Sequence, residues 1–159
     1  MDESIRQKLK KLTHYYAIQA NCYRNIEALA LDHARALVAP KLDMGRIQAL
    51  LEQRMDILDG MESLVKQTRA AQAALCTQIK SDILSIPRLE RICGGEPEFV
   101  QFRNQAEIHK KLLEKMIRLD RANEQVMKER MDEMKAAGRD LKLRARARRV
   151  YRNMSNPNE

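Results

Sequence analysis

Between Asp2 and Ala39 the chain has neither glycine nor proline, and apolar residues return at steps of three and four. Ile5, Leu9, Leu12, Tyr16, Gln19, Tyr23, Ile26, Ala30, His33 and Leu37 follow one heptad frame, and eight of these ten are apolar, counting Ala and Tyr. That period predicts a long amphipathic helix with a coiled-coil-like seam. Asp2, Glu3 and Ser4 supply cap chemistry at its start. Pro40 stops it, because a proline disfavours helical geometry at the residue before it.

The same steps resume beyond the connection "PKLDMG". Ile47, Leu51, Arg54, Leu58, Met61, Val65, Thr68, Gln72, Leu75 and Ile79 predict a second helix, from about 44 to 85 and capped by Asp43. Gly60 lies inside it, at a cost of about 1 kcal/mol relative to Ala. Pro87, Gly94, Gly95 and Pro97 then punctuate the chain, so a turn is expected, with one short helical turn at Arg88–Ile92 and a loop. Glu96 and Glu98 favour a helix N-terminus after it. The third helix is expected over about 97–137, carried first by Phe99, Phe102, Ala106, His109, Leu113 and Met116. Asp120, Asn123 and Arg130 interrupt its second half, and Gly138 marks the expected joint to the tail.

These signals define an all-α chain. It is expected to be an elongated antiparallel bundle of three long helices over residues 1–138 (helices about 2–39, 44–85 and 97–137). A basic amphipathic tail or fourth helix covers 139–159. Helices of about 40 residues span about 60 Å, and short connections favour antiparallel neighbours. With 5 Gly, 4 Pro and 4% aromatic residues, composition agrees with long helices.

The charge is uneven. Of the formal net +8, six units fall between Arg139 and Arg152, where seven basic residues face one acid, Asp140. The rest is nearly balanced, which separates the tail from the bundle. Cys22, Cys76 and Cys93 are odd in number and form no C-x-x-C pair. A reducing, cytoplasmic compartment is therefore expected. Neither a signal-peptide core nor a run of the roughly 18 apolar residues of a membrane span is evident.

Catalytic and metal chemistry find little support. His14, His33 and His109 have no His or Cys partner at helical spacing, and no H-E-x-x-H or paired E-x-x-H pattern occurs. "ICGGEP" lacks the Lys-Ser/Thr of a P-loop, and Cys93 has no nearby His to activate it. No enzyme activity, cofactor or metal is expected.

Partner binding is better supported. Of the 9 methionines, Met116, Met127, Met131 and Met134 fall on the third helix and Met154 in the tail. Flexible thioethers suit a groove that accepts several partner helices, and an ordinary bundle core accounts for them equally well. In the tail, Leu143, Ala147, Val150 and Met154 form a stripe with Tyr151 beside it and basic residues on the other faces. A helix that docks on its own bundle or on a partner fits this best, and solvation of the arginines is the plain alternative.

The stretch "IQALLEQRMDILDGMESL", then "IRLDRANEQVMKERMDEMKAAGRDL" with its basic continuation and "VYR", resembles the FlgN/FliT-type flagellar export chaperones of type III secretion. Leu119-Asp120, Asn123, Met127 and the late Tyr151 carry the likeness, which spans about 44–152. The resemblance implies a small cytosolic helical protein. Such a protein binds amphipathic helices of unassembled hook–filament junction or filament-cap proteins and delivers them to the export apparatus. Leu119, Val126, Met127, Met131 and Met134 would then offer the groove. Leu143, Ala147, Val150, Tyr151 and Met154 would be its tail contacts; from its own pattern, the stripe Leu143, Ala147, Val150 and Met154, hinged at Gly138, is expected to occupy the groove when no client is present. Two other classes stay open: a helical nucleic-acid-associated protein using the tail, and a structural coiled-coil adaptor, including a homo-oligomer.

Overall fold

The computed structural model describes the backbone of residues 1–155 and the side chains of residues 1–149. Among the described residues the chain is all-helical. It has four helices: α1 (Glu3–Val38), α2 (Met44–Gln78), α3 (Ile86–Cys93) and α4 (Pro97–Ser155).

Local chemistry explains most boundaries. The Asp2 carboxylate accepts from the Ser4 amide at 2.9 Å, and the Asp43 carboxylate accepts from the Arg46 amide at 3.0 Å. Each satisfies a donor that the first helical turn leaves without an intrahelical acceptor. Ser85 caps α3, with Pro87 in its first turn, where a missing N–H costs nothing.

The end of α2 departs from expectation. The helix stops at Gln78, not near 85, because Lys80 adopts a left-handed backbone with φ of 52°. Its amide donates to the Thr77 carbonyl at 3.2 Å, and the Ser81 amide donates to Cys76 at 2.9 Å. That pair of reversed bonds is a Schellman closure with lysine where glycine is usual. The expected single turn at Arg88–Ile92 is the centre of α3. The expected joint at Gly138 is absent: α4 runs through it without a break. A lone helical glycine costs about 1 kcal/mol, and the neighbouring Ala136, Ala137, Leu141 and Lys142 are strong helix formers.

The chain forms two compact units, dividing at Asp120 and Arg121. The expected domain boundary at 138 falls inside the second.

In the first unit all ten seam positions of α1 are buried. One core joins Ile5, Leu9, Leu12 and Tyr16 to Leu75, Ile79, Leu89, Cys93, Phe99 and Phe102. A second joins Tyr23, Ile26, Met61 and Met116. Each fully buried large side chain, such as Phe102 or Leu12, holds several kcal/mol against truncation. Cross-helix partners fall in number along α2 as they rise along α1: Ser4 and Lys8 meet Gln78, Tyr16 meets Gln72, and Gln19 meets Thr68.

Polar seam residues find each other. The His109 Nε2–H donates to the Gln19 amide oxygen at 2.8 Å, and the Gln19 amide donates to Thr68 Oγ at 2.7 Å. The Thr68 hydroxyl in turn donates to the Leu64 carbonyl at 2.8 Å. The His109 ring stacks on Tyr16 with centroids 4.7 Å apart. Farther along, the Arg54 guanidinium pairs with the Asp120 carboxylate, and both influence the buried His33.

Candidate partner-binding site

The second unit is the distal part of α4, from Arg121 onward. Its proposed contact residues stand as follows. Val126, Met127 and Met131 are half-buried, while Met134 is 52% exposed and Leu143 62% exposed. Ala147 is exposed, and Leu119, at the end of the first unit, is half-buried. The side chains of Val150, Tyr151 and Met154 lie outside the described residues.

Helical geometry sorts these residues into two faces. Leu143 comes nine residues after Met134, two and a half turns on, so it points away from the methionines. Ala147, one turn further, shares the Leu143 face. Leu143 and Ala147 therefore lie on the side of the helix opposite the methionines. A different row continues the methionine face. Met127, Met131, Met134, Gly138, Leu141 and Ala145 recur at steps of four and three. Of these, Leu141 is 66% exposed, and it is not among the contact residues expected from sequence. Its signal was present in the spacing. An assumed break at Gly138 concealed it.

Gln125 donates to Glu129 at 2.9 Å, and Arg144 pairs with Asp140 at 3.1 Å, both one turn apart. Such exposed pairs add a few tenths of a kcal/mol each to a helix that has to hold its own shape. Asn123, which interrupts the expected seam, is buried at 5% exposure.

Elsewhere, reactive groups are muted. Burial pushes the Cys93 thiol up and lowers both His33 and His109, so the thiol stays protonated and the imidazoles neutral near pH 7. Among the described residues, no three His, Cys, Asp or Glu side chains stand close enough to hold a metal ion. No helix among them is long and apolar enough to cross a membrane. No protein-family model, curated protein or solved structure matches the chain.

Proposed function

We propose that this chain is a helix-binding chaperone or adaptor whose contact surface is the apolar row on the distal half of α4. One observation carries the reading: Met134 and Leu141 lie exposed in a row with Met127 and Met131, on a helix that continues without a break. Flexible thioethers beside an exposed leucine accommodate the varied knobs of a partner helix. The descending run of α1–α2 partners supports an antiparallel hairpin, onto which α3 and the start of α4 add their core residues.

The resemblance to FlgN/FliT-type chaperones supplies the client class. Its members bind amphipathic helices of unassembled flagellar hook–filament junction or cap proteins in the cytoplasm and pass them to the export apparatus. The same assignment is proposed here. Contact is placed on Met127, Met131, Met134 and Leu141, with Leu119 and Val126 flanking them. Leu143 and Ala147 move to the far face and lose their role as an internal plug.

The test is titration of a fluorescent amphipathic client helix with the full chain. Met131→Asp or Met134→Asp, each placing a charge in the row, is expected to weaken binding at least about tenfold. Circular dichroism should show the helix content retained. Unchanged affinity in both variants would remove the row from the site. The second reading, nucleic-acid binding, draws on exposed Lys142, Arg144, Arg146, Arg148 and Arg149. It calls for affinity that falls steeply with salt, whereas an apolar row keeps its partner at moderate salt.

A further inference from the structure

The apolar row is bordered by charge of one sign, and the border specifies what fits against it. On the continuous helix, Met127, Met134 and Leu141 occupy one seam position of the heptad and Met131, Gly138 and Ala145 the other. The position next to the seam on one side is Lys128, Lys135, Lys142 and Arg149, a basic residue every seven. On the other side stand Arg130, Ala137 and Arg144. From Met127 onward the acids, Glu129, Asp132, Glu133 and Asp140, fall on positions away from the seam, and Glu124, one heptad before Met131, marks where the apolar row begins. Lys128, Lys135, Lys142 and Arg149 are exposed, and Arg144 makes an exposed pair with Asp140. Arg130 is already engaged within the chain, so the lysine row carries the selectivity.

Flanking positions set partner choice when helices pair along such a seam. A second copy of this helix would bring cations against cations. In parallel register Arg144 would face Arg149, and in antiparallel register lysine would face lysine. Like charges so placed act against pairing. A nucleic acid would satisfy the cations but gain nothing from the thioethers between them. Residues 121–149 also contain no aromatic side chain on which a base could stack. We infer that the distal half of α4 selects an amphipathic partner helix whose apolar seam is bordered by Asp and Glu, and that its lysine row discourages self-pairing. This rests on the helix-binding reading and names its partner chemistry.

Two synthetic helices with the same leucine seam, one flanked by Glu and one by Lys, test it against the full chain. The Glu-flanked peptide should bind at least about tenfold more tightly. Lys128→Glu, Lys135→Glu and Lys142→Glu together should reverse that order. These side chains are exposed, so the helix content should hold by circular dichroism. Equal binding of both peptides would overturn the charge selection and leave helix binding standing. Binding of neither would overturn both. Displacement of the Glu-flanked peptide by duplex DNA, with affinity falling steeply in salt, would overturn the partner class. A stable homodimer abolished by Met134→Asp would overturn the block on self-pairing.

Discussion

His109 and Gln19 show how single residues decide the interior of this protein. In a heptad list they interrupt an apolar seam; in the fold they complete a hydrogen-bonded chain across three helices with Thr68. A buried polar group left without its partner costs about 1–3 kcal/mol, so the chain fixes one register among many a uniform seam would allow. These partnerships were not legible, because periodicity says which face a residue occupies and not which residue lies opposite. Arg54 and Asp120, two further seam interruptions, meet for the same reason. The two imidazoles carry a pH signature. In the folded chain burial holds His33 and His109 below the ordinary 6.5, and beside His33 the Arg54 cation adds to the effect while Asp120 opposes it. Between the folded values and 6.5 the unfolded chain binds more protons. Their contribution to stability is complete above that window and is lost as pH falls through it. Urea unfolding at a series of pH values should show this decline, at most roughly 3 kcal/mol per pH unit for two groups. His33→Gln with His109→Gln should flatten it. An unchanged slope in the double variant would place the acid sensitivity elsewhere.

At the scale of elements, α1 was read nearly whole, because it combines an unbroken period, a cap at Asp2 and a proline stop. Its ten seam residues are all buried. In α2 the same frame is only partly enclosed: Ile47, Met61, Thr68 and Leu75 are buried, while Leu51 is 39% exposed. The close of α2 was hidden because a lysine takes the left-handed position. Gly138 was misleading in the opposite sense. It has the composition of a joint, yet nothing lies within 4 Å of where its Cβ would be, and the helix passes through. Gly138→Ala should therefore raise the helix content and stabilise the distal segment by about 1 kcal/mol. It should leave client-helix affinity equal or improved. A loss of binding in a more helical variant would show that the site works by bending at this residue.

For the whole molecule, the charge distribution and the apolar row describe one device. The first unit has two apolar cores with polar cross-ties, and in the second Met134, Leu141 and Leu143 are exposed among basic residues. The basic run near the chain end was visible in composition. Its relation to the methionines was not, because that relation depends on one unbroken helix from Pro97 to Ser155. The client class proposed above rests on the resemblance alone, and the exposed row is the surface proposed to meet it. Hydrogen exchange on the full chain tests this most directly. Alone, amides of residues 121–149 should exchange far faster than those of α1 and α2, since a helix with few buried side chains opens locally. An acidic-flanked amphipathic peptide should slow exchange across that segment and leave the rest unchanged. Protection confined to residues 1–120, or none anywhere, would contradict the placement of the partner on the distal half of α4.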